Sequence, residues 1–418
     1  MTKAKSYAIS RHAVWDAYKK VKANRGAAGV DGQSLAAFEK DLKNNLYKIW
    51  NRMSSGSYFP PPVRLVEIPK GATGKTRPLG IPTVADRIAQ TVVKMHLEPQ
   101  VEPIFHPDSY GYRPGKSALD AVGVTRKRCW RQDWVIDLDI KAFFDSLDHD
   151  LVMRAVRKRT DVPWILLYVE RWLKAPLERA DASLEERTRG TPQGSVISPL
   201  LANLFMHYAF DEWLRRNYPH IQFARYADDV VIHARSLEEA NQVLDAVRER
   251  LVACGLELHP EKTRIVYCKD SNRRERHDHV TFDFLGFTFR PRQATNRRGE
   301  RFCSFLPAVS AKAAKAIRAT IRSWRRGVWR SNQSLEEIAR FINPCVRGWV
   351  NYYGQFYRTE LISVLRCLEE SLSQWARGKY KRLKRHKRRA IYWLGTVARR
   401  EPRLFVHWQL GVRSATGQ

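Results

Sequence analysis

The sequence predicts an α+β chain: a small sheet on a split βαβ plan, preceded by helices and followed by a basic helical region. Three observations carry this. Two β-rich runs, residues 221–225 and 230–233, flank one tight turn, Tyr226-Ala227-Asp228-Asp229. A second strand pattern, Val135-Ile136-Asp137-Leu138-Asp139-Ile140, lies upstream, and an amphipathic helix follows the hairpin over 236–255. Beyond residue 307 the apolar spacing is helical and basic residues crowd in.

Taken in order, residues 7–53 read as helical, with Trp15, Tyr18, Val21, Leu35, Phe38, Leu42, Leu46 and Ile49 at helical spacing. The glycine-rich stretch 26–32 is a loop between them. Residues 63–69 alternate as a strand, 70–77 form a polar turn, and 85–101 return to a helix. In the helix at 236–255, Ser236 and Glu239 form a capping box and Gly255 ends the helix. Ala311 to Arg326 is a basic amphipathic helix with Ala313, Ile317, Ile321 and Trp324 inward. Further helices are expected at 335–342, 345–356 and 359–378. Between Arg377 and Arg403, twelve basic residues face Glu401 alone, with Tyr380, Tyr392 and Trp393 among them. That mixture suits an RNA- or DNA-contacting surface.

The chain has 418 residues and a formal net charge of +31. Such an excess implies a polyanionic partner, and interleaved aromatics favour nucleic acid over a membrane surface. The uncharged run 190–210 is interrupted by Pro192, Gln193, Pro199 and Asn203, so no membrane span is expected, and a cytosolic or nucleoid-associated protein is. The six cysteines form no CxxC pair, and disulfides are not expected. Cys268, His277 and His279 read as a solvated turn rather than a zinc site.

Adjacent carboxylates at a turn repel unless cations neutralise them. Asp137 and Asp139 share one strand face, opposite Ile136, Leu138 and Ile140. Several aspartates gathered on paired hard cations are the machinery of nucleotidyl transfer. Asp139, Asp228 and Asp229 are the chosen ligands, for two Mg²⁺ ions with Mn²⁺ as a substitute. Asp137 is the fallback, and Asp145 and Asp148 are caps of the following turn.

Tyr226-Ala227-Asp228-Asp229 resembles the YxDD box of reverse transcriptases. Residues 139–145 are similar to their first catalytic-aspartate block. The stretches 189–195 and 198–203 resemble the PQG block, and 255–263 and 284–287 complete the ordered series. Gly26 to Asp31 is similar to the N-terminal extension of group II intron-encoded proteins, and residues 342–353 resemble their maturase (X) domain. The sequence ends at Gln418 without a cysteine–histidine cluster, so no HNH endonuclease is expected.

This resemblance implies a right-hand polymerase. The N-terminal extension and fingers would fill 1–130, a ferredoxin-like palm 131–306, and an α-helical thumb/maturase domain 307–418. It implies an RNA-directed DNA polymerase that is also a splicing maturase. The partners would be group II intron RNA, an RNA template with a DNA primer, dNTPs and target DNA, with the protein a monomer or homodimer. Lys70 and Arg77 would meet the triphosphate, Phe144 would crowd a ribose 2′-hydroxyl, and Gln193 would lie near the nascent base pair. Gly190 and Gly194 would let backbone approach nucleic acid. Arg347, Lys379, Lys381, Arg382, Lys384, Arg385, Lys387, Arg388 and Arg389 would contact RNA phosphates, while Trp349 and Tyr353 would pack into the core. Two other readings stay open: a related reverse transcriptase used in phage defence or hypermutation, and a maturase that only assists splicing.

Overall fold

β-Branched and aromatic runs between glycine and proline breaks become strands in the computed structural model, which describes residues 5–69, 76–296, 298–327, 329 and 332–415. In chain order they are β1 (Val63–Pro69), β2 (Thr76–Ile81), β3 (Trp134–Leu138), β4 (Leu177–Glu178), β5 (Leu184–Glu185), β6 (Gln222–Tyr226), β7 (Asp229–Ala234), β8 (Arg264–Tyr267), β9 (Phe282–Phe284), β10 (Phe287–Thr295) and β11 (Arg301–Val309). The chain forms two compact units, residues 1–121 with 134–265, and 122–133 with 266–418. The chain passes from the first unit to the second within β8.

In the first unit the central sheet has the order β6-β7-β3-β8. Numbered along a βαββαβ chain this is 2-3-1-4, the split βαβ plan of a ferredoxin-like palm. Helices Ser198–Met206 and Leu237–Ala253 supply the two crossovers. Ser236 caps the second as expected, accepting from Glu239 N at 3.1 Å. Glu239 returns its carboxylate to Arg235 N at 2.6 Å rather than to the cap residue, so the box is displaced by one position. A second sheet has the order β2-β1-β4-β5, with β1 and β2 antiparallel; the polar turn expected between them lies, over 70–75, outside the described residues. In helix Arg11–Asn24 the buried face is Val14, Ala17, Tyr18 and Val21, and Trp15 lies outside it.

Helix Val84–Val101 buries an acid near its start. Asp86 is fully buried and accepts from Trp172 Nε1 (2.7 Å), Tyr58 Oη (3.0 Å) and Gln90 Nε2 (2.9 Å). Burial pushes its carboxyl up to about 6, while the three donors pull it down. A folded-state value above the unfolded 3.8 means that the native state holds the proton more tightly. Stability contributed here is therefore present at low pH and lost as pH rises from about 4 to 6, by roughly 3 kcal/mol. Asp86→Asn should gain on the parent by that amount across this window and hold a constant offset above it, in urea titrations read by tryptophan fluorescence. Parallel curves would show that Asp86 is ionised normally.

In the second unit, β11-β10-β9 packs with helices that follow residue 310. Phe287 of β10 lies 5.3–5.4 Å from the rings of Tyr352, Tyr353 and Phe356, which is why this sheet joins the helical unit. Helix Ala311–Gly327 buries Ala314, Ile317, Ile321 and Trp324, with Ala313 only partly buried. The helices expected at 335–342 and 345–356 are joined: Leu335–Tyr353 is one helix with Pro344 inside it. A proline there costs about 3 kcal/mol. Burial of Ile338, Ile342 and Val346 on the opposite side offsets that cost. Trp349 stacks on Trp324 at 5.4 Å, so both aromatics assigned to the core, Trp349 and Tyr353, pack there. Among the described residues no helix is long and apolar enough to cross a membrane. All six cysteines are free.

Candidate active site

Antiparallel pairing of β6 with β7 ends at Tyr226↔Asp229, leaving Ala227 and Asp228 as a two-residue turn. Ala227 sits at φ 58°, a left-handed conformation that an alanine adopts at a cost of roughly 1–2 kcal/mol. On the other side, β3 pairs with β7 up to Leu138↔Val230. Asp139 follows Leu138 and Asp229 precedes Val230, so each lies one residue beyond that last pair. The side chains of Asp137 and Asp139 are half-buried, and their neighbours Ile136, Leu138 and Ile140 are buried.

Residues 257–263 run beside this strand end. His259 N donates to Asp139 O (2.7 Å) and Lys141 N to Glu257 O (2.9 Å). Lys262 Nζ then reaches Asp139 Oδ2 at 2.9 Å. In this arrangement no three His, Cys, Asp or Glu side chains among the described residues are grouped to hold a metal. The donor set nevertheless fits a hard divalent cation. Its members are carboxylate oxygens from neighbouring strand ends, one of them already drawing a cation. Lys262 lay inside a matched block but had no assigned role; its position one strand away from Asp139 is a product of the fold.

Beneath the turn is a buried network that sequence reasoning missed. Arg225, with no exposed surface, gives Nε and Nη2 to Asp211 Oδ1 and Oδ2 at 2.8 and 2.6 Å. Its Nη1 donates to Asn203 Oδ1 (3.0 Å) and to Ala227 O (3.1 Å). Asn203 Nδ2 donates to Gly111 O at 2.6 Å. Gly111 packs directly on the turn: a Cβ there would lie 2.5 Å from Ala227 N. Arg113 donates to Glu102 Oε1 (2.9 Å), His106 O (2.7 Å) and Ser109 O (2.7 Å), and so shapes the loop that carries Gly111. An arginine immediately before Tyr226 was the one local signal available.

Arg77, Phe144 and Gln193 line a single cavity of about 520 Å³ with Ile68, Leu79 and Tyr112. Arg77 Nε donates to Gln193 Oε1 at 2.5 Å. Phe144 faces the cavity and Phe143 does not line it, although both are buried. Burial first, then Tyr226 and the Asp228 and Asp229 carboxylates, push the Tyr112 hydroxyl above the ordinary phenol range; Arg77 acts the other way. The cavity and the paired carboxylates therefore share one electrostatic neighbourhood. Lys70 lies outside the described residues. Gly190 (φ 80°) and Gly194 (φ 106°) make their close approaches to the chain itself. A Cβ would lie 2.7 Å from Asp145 O in the first case and 2.6 Å from Gly80 O in the second. Asp148 caps a helix, accepting from Leu151 N at 2.9 Å.

Arg347 is exposed, as are Lys381, Arg382, Lys384, Arg385, Lys387, Arg388 and Arg389, while Leu383 between them is buried. Among the described residues none of these eight cations is paired with a carboxylate. Lys379 differs. It is half-buried, hydrogen-bonded to Gln333 O, and lies 5.3 Å from the Trp375 ring centre, so its charge is partly committed within the thumb.

The reverse transcriptase (RNA-dependent DNA polymerase) family matches residues 68–289, and the group II intron maturase-specific domain matches 314–393. Protein YkfC of Escherichia coli is 32% identical over 328 residues, 68% of this chain and 81% of that protein. Group II intron-encoded protein LtrA of Lactococcus lactis subsp. cremoris is 31% identical over 208 residues, 49% of this chain and 34% of LtrA. The putative COX1/OXI3 intron 2 protein of Saccharomyces cerevisiae is 25% identical over 268 residues, 62% of this chain and 29% of that protein. The chain thus spans about four fifths of YkfC and about a third of the other two. A telomerase from Candida albicans, solved with a TWJ fragment of telomeric RNA, gives a TM-score of 0.46 at 11% identity, over 90% of this chain and 67% of that one.

Proposed function

This chain belongs to the reverse transcriptase (RNA-dependent DNA polymerase) family and carries a group II intron maturase-specific domain; from that premise we propose how it divides its work. The palm copies RNA into DNA, and the basic thumb grips the parent intron RNA, assists its splicing and supports its insertion into target DNA. The observation that supports the polymerase half is that Asp139 and Asp229 each lie one residue beyond the last β3–β7 pair, Leu138↔Val230, while Arg77, Phe144 and Gln193 line one cavity.

Asp139, Asp228 and Asp229 would hold two magnesium ions, for which manganese could substitute. When bound, such ions activate a primer 3′-hydroxyl and offset charge on the leaving pyrophosphate. Lys262, with Nζ 2.9 Å from Asp139 Oδ2, offsets the charge of that carboxylate. Arg77 and Lys70 attract the triphosphate, with Gln193 fixing the Arg77 guanidinium. Phe144 forms the wall that crowds a 2′-hydroxyl. Ala227, held left-handed over Gly111 and Arg225, keeps the two carboxylates at the strand ends.

The seven exposed cations between Lys381 and Arg389, with Arg347, face RNA phosphates. The test pairs two assays. Primed RNA templates should yield cDNA only with divalent metal, and RNA that co-purifies with the protein, once sequenced, should be the intron flanking its own gene. Folded protein that makes no cDNA on any primed RNA would leave only a splicing maturase. Co-purified RNA with no intron signature would point to another task for the polymerase.

A further inference from the structure

We infer that the palm holds a second anion site, apart from the nucleotide cavity, that seats the phosphodiester backbone of an RNA strand. It is a cavity of about 370 Å³ whose floor includes Leu151, Ala155, Phe205 and Cys254. It shares no lining residue with the nucleotide cavity. Its charged rim is entirely cationic: Arg154 and Lys158 at the end of helix His149–Arg157, and Arg250 from helix Leu237–Ala253. Among the described residues no carboxylate lines it.

Each rim group is held differently. Arg250 is fixed, with Nε and Nη2 donating to Ala209 O (3.0 Å) and Tyr208 O (3.1 Å). Tyr208, also in the lining, lies under Lys158 with 4.7 Å from Nζ to the ring centre, and its hydroxyl accepts from Arg159 Nε. Arg154 and Lys158 are exposed, and neither is paired with a carboxylate among the described residues. Cations gathered without acids repel one another, and a ring face relieves only part of that. A bound polyanion relieves the rest.

Two features favour a strand over a small free anion. Arg154 and Lys158 stand one helical turn apart, about 6 Å along the axis, and so present two separate positive points. Tyr208 adds an aromatic face between the two helices, the combination that suits a nucleic-acid backbone with its sugars and bases. The turn that supplies Tyr208, His207–Asp211, is π-helical, a rare geometry that concentrates at functional sites. The site rests on the proposal above that this chain binds RNA.

The test uses the full chain and a structured transcript of the sequence flanking its gene. Arg154→Gln with Lys158→Gln should make the plot of log affinity against log salt shallower by about 1.4, the share of two phosphate contacts to a single strand. Arg154→Lys with native Lys158 should keep the parent slope. An unchanged slope in the double variant, with the parent binding tightly, overturns this site and leaves the RNA-binding proposal standing. A parent that does not bind the transcript overturns both. Inorganic pyrophosphate bound by the parent and lost in the double variant, with the RNA slope unchanged, would make this a small-anion site instead.

Discussion

Asp228→Asn is expected to lower cDNA synthesis by about a thousandfold or more, a loss of roughly 4 kcal/mol of transition-state stabilisation. The substitution keeps the shape of the turn and removes one charge. Without divalent metal the variant should melt at or slightly above the parent's temperature, because Asp228 and Asp229 are adjacent and repel. Magnesium should raise the parent's melting temperature by mass action on the native state, and that rise should shrink in the variant. Binding of long RNA and assisted splicing should remain, since the exposed cations of the thumb are untouched. Persistent cDNA synthesis, or an unaltered magnesium response, would remove Asp228 from the metal site. Lost splicing with intact RNA binding would show that the two activities are not separable.

Arg225→Met is expected to cost about 3–5 kcal/mol of stability, because it strands Asp211 as a buried unpaired charge. The informative variant is Arg225→Met with Asp211→Leu. Replacing both charges by apolar groups removes the desolvation penalty, so most of the stability should return. Activity should not return. Ala227 O and Asn203 Oδ1 both lose their donor, and the left-handed turn loses a support. The turnover number should fall at least about tenfold, while KM for dNTP holds, because Arg77 and Gln193 lie outside this network. A double variant that is both stable and fully active would reduce Arg225 to a structural ion pair with no positioning role.

What could be read locally was read well. The strand–turn–strand at Asp228 and Asp229, the alternation through Asp137 and Asp139, and the cap at Ser236 each depend on a few consecutive residues. Convergence of Arg77, Phe144 and Gln193 followed from matched blocks, and those three do share a cavity. The helices at 335–342 and 345–356 were read as separate because local spacing does not show the burial that carries one helix through Pro344. Gly190 and Gly194 were read as places of close backbone approach, and the approaches the fold shows are to Asp145 O and Gly80 O, far away in sequence. Lys379 looked like its exposed neighbours until Gln333 and Trp375 folded against it.

Sequence alone determined the family, the helical and strand periods, the acid pair at a turn and the positive charge that demands a polyanion. All of these are properties of short windows or of composition, where backbone geometry and summed charge need no distant partner. Tertiary structure decided that Arg225 meets Asp211, that Gly111 underlies Ala227, that Lys262 reaches Asp139, and that cations from two helices ring one cavity. Those pairings are chosen by burial. A charge removed from water must find its partner wherever the chain has brought one, and no local pattern names that place.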